Sequence, residues 1–471
     1  MSLLDNIIAA LPEVQAPTEK KLGFKPRLKW TLIILVLFFV MGLIPLFGLG
    51  SNALQQFEMV SLILGAEFGS IMSLGIGPIV TASIILQLLN GSGIIKFDTT
   101  SAEGKKRFQG VQKITAIFFV VFEAIIYVVM GGLAPGAFYD PVTNAFLSAA
   151  TDTTIALSAS AVTMIKFGLI FQLTLGGIIV MFMDEVISKW GFGSGISLFI
   201  AAGVSKSIMI QAFNPLKPEG SEYSIGAFFQ IFQSLSAGDP STALLAVSAI
   251  LATIAVFLFS IYAQSMKVEI PLSVGRVRGH AIRWPLNFLY TSNIPVILIA
   301  ALMANIQLWT RLFGGDSASN AVTPWVSGNQ ILSMIIQQKT LLIGIMPYLQ
   351  SLVYLLILMG GSVIFSIFWV QTSGMDSRSQ AKQMMASGLQ IPGFRKDQRI
   401  LERLLDRYIG PLTVMGGLTV GFLAGLADLT GALSRGTGIL LTVMIVYKLY
   451  EDIAKQHMYD MNPMMRKFMG K

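Results

Sequence analysis

Apolar stretches of membrane-spanning length recur along this chain, separated by short polar segments. Ten are read: residues 30–49, 71–89, 111–133, 161–183, 194–213, 242–263, 286–310, 347–370, 408–429 and 437–449. The hydrocarbon core of a bilayer takes about 20 apolar residues of helix, so the pattern predicts an all-α polytopic membrane protein of ten spans. Residues 214–240, with Pro215, Pro218, Gly220 and Gly238, form the best boundary between two halves of five spans, 1–225 and 226–471. One stretch is irregular. Residues 52–90 are too many for one crossing: 52–68 is weakly apolar, with Glu58 and Glu67, and Gly75, Gly77 and Pro78 interrupt the run that follows. Such backbone persists at membrane depth only where protein or water covers it, which predicts a re-entrant segment beside an internal cavity. Residues 3–11 place Leu3, Leu4, Ile7, Ile8 and Leu11 at helical spacing. That fits a helix on the membrane surface or one packed on the protein.

Composition agrees with the pattern. Of 471 residues, 54% are hydrophobic and 12% charged, with mean hydropathy +0.70; a soluble domain carries about twice that charged fraction. Charge then orients the chain. With a cytoplasmic N-terminus, 27 of the 33 Lys and Arg lie on the cytoplasmic side, leaving Lys166, Lys206, Lys217, Arg311, Lys339 and Arg435 on the other. The bias places both termini in the cytoplasm, and the polar, lysine-bearing start does not read as a cleaved signal. Five spans per half invert the second half relative to the first. The second and seventh spans share an early proline (Pro78, Pro295) and a late glutamine (Gln87, Gln307), favouring an inverted repeat with its site between the halves.

Candidate chemistry is sparse. With no cysteine and only His280 and His457, thiolate sites are excluded and paired-histidine metal sites are not offered; no cofactor or metal is expected. Lys113, Lys166, Asp184, Asp428 and Lys448 lie near span ends, where they are expected to snorkel. Glu123, at the middle of the third span, cannot. It reads as a carboxyl bonded to a neighbouring helix, as a polar latch, or as an ion-coupling group, the last poorly served by one midplane acid. Ser73, Gly77 and Thr81 form a small-residue face suited to close helix contact. Ile76 with Val80, and Ile196 with Ile200, are four apart and share a face; alone, such pairs are packing or lipid contact. The glycines at 191, 193 and 195 have no strand before them and read as a tight turn, not a nucleotide loop. Two cytoplasmic loops, 266–285 and 371–406, carry clustered basic residues. They either follow the positive-inside bias or meet phosphate-rich RNA or an acidic partner. A secondary transporter of a small solute would share the inverted repeat, but the spans offer no midplane polar cluster for it. They also lack a Ser/His, Cys/His or paired-Asp arrangement, so no enzyme is expected.

Six stretches in order are similar to the SecY family, the channel subunit of the protein translocon, most closely its archaeal and eukaryotic α-subunit branch. They are LGIGPIVTASIILQLL (74–89), DEVISKWGFGSGISLFIAAGVS (184–205), PLSVGRVRG (271–279), SNIPVILIAALMANIQLW (292–309), GFRK (393–396) and GTGILLTVMIVYKLYE (436–451). The resemblance implies an hourglass pore between two inverted five-helix halves, ringed by Ile76, Val80, Ile196, Ile200, Ile297 and Leu441. It implies a plug half-helix within about 52–70, with Leu54, Phe57, Val60 and Leu64, and a lateral gate whose polar cluster is Thr81, Glu123 and Asn305. Arg276, Arg278, Arg395 and Lys396 match positions that engage the ribosome with its nascent chain or another cytoplasmic partner. Further implied partners are SecE-like and Sec-beta-like small membrane subunits, signal peptides and membrane lipid. The implied location is the cell membrane, or the endoplasmic reticulum membrane if the source is eukaryotic.

Overall fold

Each predicted span overlaps a helix in the computed structural model of the chain, but several begin and end elsewhere than hydropathy alone places them. The structure describes residues 8, 10–18, 22–52, 67–91, 94–95, 97, 101–135, 138–140, 145–147, 155–156, 159–217, 222–274, 281–291, 294–328, 330–338, 344–386, 389–390, 398–434 and 436–461. The helices of the first half are α1 (Phe24–Gly42), α2 (Gly77–Gly91), α3 (Ala102–Val129), α4 (Ala159–Trp190) and α5 (Gly195–Phe213). Then follow α6 (Ala227–Ser236), α7 (Pro240–Ser265), α8 (Ile294–Ser327), α9 (Ile331–Gln338) and α10 (Ile345–Thr372). The last are α11 (Ser377–Ala386), α12 (Gln398–Leu429) and α13 (Gly436–Met461). Among the described residues α3, α4, α5, α7, α10 and α12 are long and apolar enough to cross a membrane; α2 and residues Ile294–Thr310 of α8 are shorter apolar helices.

The corrections have local causes. The first span was expected over 30–49, but α1 stops at Gly42: Pro45 cannot continue a helix, and Gly48 adopts φ 85. The chain then forms β1 (Leu49–Asn52), which pairs antiparallel with β2 (Leu133–Pro135) after α3, so the third span also ends short of 133. The second span was expected from 71, yet 71–76 is a series of turns and α2 begins at Gly77 with Pro78 in its first turn. Ser73 is therefore not on the small-residue helix face; its hydroxyl accepts from the Gly69 amide at 2.9 Å and donates to the Ser70 carbonyl at 2.5 Å. Short strands β3 (Phe138–Asp140), β4 (Ala145–Leu147) and β5 (Ile155–Ala156) form a second sheet, order β4-β3-β5, between α3 and α4. Asp239 caps α7, accepting from the Ser241 and Thr242 hydroxyls at 2.6 Å each, and those bonds hold its carboxyl down at about 2.

The described parts of the two basic loops are mainly strands and helices. Residues 286–287, assigned to the seventh span, belong instead to β7 (Ala281–Asn287), which pairs antiparallel with β6 (Lys267–Val274) from Lys267↔Asn287 to Ser273↔Ala281. The second loop holds α11 and the start of α12, and its β8 (Leu389–Gln390) adds to β6 at Ser273 and Val274. Ile270, Leu286, Ala381, Met384, Leu401 and Leu405 pack this unit into one apolar cluster. Both loops thus form a single platform. Arg276, Arg278, Arg395 and Lys396 fall in the intervening stretches and, like Leu54, Phe57, Val60 and Leu64, lie outside the described residues.

The helices wrap an apolar centre and turn large hydrophobics outward. Phe118, Phe171, Leu251 and Tyr262, on α3, α4 and α7, are 60–69% exposed. On a soluble protein so wide an apolar surface would aggregate or bind a partner; on a spanning bundle it meets acyl chains.

Candidate functional site

A cavity of about 610 Å³ opens where six helices meet, and its lining changes character with depth. At the outer level stand Lys105 of α3 and Lys448 and Asp452 of α13. Deeper lie Val80 of α2, Ile196 of α5, Ile297 of α8 and Ile445 of α13. Helix direction fixes this order. Along α13 the chain runs from Leu441 through Ile445 to Lys448 and Asp452, so Leu441 lies one turn below Ile445. Along α5, Ile200 lies one turn, about 6 Å, below Ile196.

The six aliphatic positions meet as one group. Ile76, Val80, Ile200, Ile297 and Leu441 are buried members of the central apolar cluster, and Ile196 packs against it. Val80, Ile196 and Ile297 floor the cavity, while Ile76, Ile200 and Leu441, at 1%, 0% and 0% exposure, lie beneath it. Although Ile76 precedes α2, its carbonyl accepts from the Val80 amide at 3.0 Å, so the pair keeps the one-turn relation that its spacing predicts. Ile445 was not singled out from sequence. It lines the same cavity, four residues after Leu441, a spacing that would have marked it once Leu441 was chosen.

The polar cluster also assembles, across α2, α3 and α8. Asn305 donates through Nδ2 to Thr81 Oγ1 at 3.0 Å, and Thr81 lies 3.4 Å from Glu123 Oε1 while bonding to the Gly77 carbonyl at 2.9 Å. Thr81, Glu123 and Asn305 are all buried. Glu123 Oε2 and Asn305 Oδ1 have no hydrogen-bond partner among the described residues. No group of three or more His, Cys, Asp or Glu able to hold a metal occurs among them either.

Three carboxylates find partners inside the fold. Glu67 pairs with Lys206 of α5 at 2.5 Å. Asp428, expected to snorkel, is buried and accepts from the Thr437 amide at 3.0 Å. Asp184 is half-buried and accepts from the Ile196 amide at 2.9 Å. Carboxylates near span ends turn inward when an unsatisfied helix N-terminus offers them amides. Lys113 reaches Glu185 at 3.0 Å and the Pro12 carbonyl at 2.6 Å near the end of α4.

The aliphatic cluster, the cavity above it and the polar contact beside it are carried by residues that a family model described as SecY matches from 70 to 450. The chain belongs to the SecY family. A second family model, the plug domain of Sec61p, matches residues 36–69. That match takes in the end of α1, β1 and the four plug candidates, and starts earlier than the 52–70 expected from sequence. Among curated relatives, the protein translocase subunit SecY of Methanothermobacter thermautotrophicus is 43% identical over 99% of this chain and 98% of its own length. That of Pyrococcus furiosus is 40% identical over 99% of each chain. Among solved structures, one titled "The structure of a protein conducting channel" superposes with TM-score 0.77 at 38% identity, covering 98% of this chain and 99% of that one. Sec61 in a canine ribosome-channel complex from the endoplasmic reticulum gives TM-score 0.74, also at 38% identity, with the same coverage. The SecY fold therefore extends over the whole chain, as the six motifs imply.

Proposed function

We propose that this chain is a passive protein-conducting channel in a membrane. In this reading ten helices span the bilayer as two inverted halves, 1–225 and 226–471, with both termini cytoplasmic. The observation that carries it is the graded cavity: charged residues at its mouth, four aliphatic side chains at its floor, and three more buried beneath them. An apolar constriction excludes ions by dewetting, yet its side chains yield to a passing polypeptide of any sequence. A metabolite carrier would need the opposite, a fixed polar site near the midplane.

The contact of α2 with α8 at Thr81 and Asn305 serves as the lateral gate, and Glu123 on α3 completes its polar cluster. A signal peptide or nascent span wedges between them. Sufficiently apolar segments leave sideways into lipid, since each Leu or Ile at the centre favours lipid by about 0.3–0.6 kcal/mol while a charge opposes by about 2.5–3.5. Residues Leu54, Phe57, Val60 and Leu64 form the plug on the far side of the constriction. Arg276 and Arg278, between β6 and β7 in the sequence, and Arg395 and Lys396, between β8 and α12, meet the ribosome or another cytoplasmic partner. SecE-like and Sec-beta-like subunits bind within the membrane.

The gate is tested by placing a photo-crosslinking residue at Thr81 or Asn305 and arresting a signal-bearing nascent chain. Adducts with the signal segment are expected from both positions. Adducts from neither would remove the gate assignment.

A further inference from the structure

We propose that Asp184 and Asp428 are a matched pair of positioning residues, one in each half, that set the height of the two helices bearing Ile196, Ile200 and Leu441. The proposal rests on the constriction reading above. The first four amides of any helix lack intrahelical partners. At the start of α5 the N-cap residue Ser194 makes no side-chain capping bond. The partner comes from the preceding helix: Asp184 of α4 accepts from the amide of Ile196, itself a constriction residue, at 2.9 Å. The approach is so close that a Cβ on Gly195 would fall 2.6 Å from Asp184 Cα, which fits glycine there.

The second half repeats the arrangement. Asp428, near the end of α12, accepts from the Thr437 amide at 3.0 Å and the Thr437 hydroxyl at 3.1 Å, at the start of α13. Tyr354 of α10 donates to its other oxygen. Leu441 lies one turn beyond Thr437. In both halves, then, an aspartate of the fourth long helix caps the fifth, and the capped turn carries or directly precedes a constriction side chain. Because α5 enters from the cavity side and α13 from the opposite side, the two caps hold the constriction from both ends. A negative group at a helix N-terminus also meets the positive end of the helix dipole.

The test uses the full-length chain in vesicles. It contains no cysteine, so Val204→Cys with Gly438→Cys supplies one reporter pair; a Cβ on Gly438 lies 3.1 Å from Val204 Cγ2. Asp184→Ala and Asp428→Ala are each expected to slow disulfide formation about fivefold or more, the factor that loss of one cap corresponds to, and to raise anion leak. Asp→Asn at either position keeps an acceptor oxygen and is expected to restore both. Slowed crosslinking without any leak would uphold the positioning role and overturn the constriction reading. Unchanged crosslinking in both alanine variants, or equal damage from Ala and Asn, would overturn the positioning role. Should Asp428→Ala not accumulate, Tyr354→Phe and Thr437→Val each remove one donor to the same carboxylate. Neither slowing the reporter would overturn the Asp428 assignment.

Discussion

Leu441→Asn is expected to make the resting channel leak anions at least about tenfold faster than the parent, equivalent to about 1.4 kcal/mol. Leu441 is fully buried in the central apolar cluster with Ile76, Val80, Ile200 and Ile297. An amide placed there without a partner costs about 2–7 kcal/mol, and the cheapest relief is to admit water from the cavity one turn above. Wetting the constriction is the leak. Ile297→Asn, at the cavity floor itself, should act the same way, and both variants should pass chains whose signals are too weak for the parent. Reconstituted vesicles with an anion-sensitive dye measure the first effect, and export of a signal-defective reporter the second. Leu251→Asn, on the outward face of α7 at 60% exposure, is the control and should leave the leak unchanged.

The second large effect concerns the gate, where two neighbouring substitutions should act in opposite directions. The closed contact buries Glu123 Oε2 and Asn305 Oδ1 without partners among the described residues. If this contact is the proposed gate, each such atom disfavours its closed state by about 1–3 kcal/mol, and closure is held loosely. Asn305→Leu gives up the bond to Thr81, whose hydroxyl keeps the Gly77 carbonyl, but removes the unsatisfied oxygen together with the rest of the buried amide, strengthening closure. The gate should then require about two more leucines in a graded signal series, at about 0.5 kcal/mol each. Thr81→Val does the reverse: it deprives Asn305 Nδ2 of its acceptor at 3.0 Å and loosens the contact, lowering the threshold. Insertion assays with the leucine series measure both. Shifts in the same direction for the two variants would contradict this account of the gate.

How far the sequence alone reaches differs from element to element. The long apolar helices are legible because a bilayer demands about 20 apolar residues and little else. Their ends are not. α12 starts at Gln398, because its polar first turns pack into the platform, and α13 runs on to Met461, beyond its apolar run. The β6–β7 hairpin takes residues 286–287 from the expected seventh span, since Leu286 faces the platform core and not lipid. Hydropathy cannot separate these two destinations. The pairing of Ile76 with Val80 and of Ile196 with Ile200 follows from helical spacing. That both pairs converge with Ile297 and Leu441 depends on tertiary contacts, and only the resemblance to SecY supplied it beforehand. Asp184 and Asp428 mark the clearest limit. Position near a span end suits snorkelling, and nothing local announces that the next helix start lies within hydrogen-bond reach.

A polypeptide in transit should pass through the proposed aliphatic constriction. A photo-crosslinking residue at Ile200 or Leu441, with a translocating chain arrested halfway, tests it most directly. The account predicts adducts with the arrested chain from both positions and none from Phe171, on the outward face of α4 at 69% exposure. Adducts absent from both constriction positions while the chain is demonstrably across the membrane would contradict it.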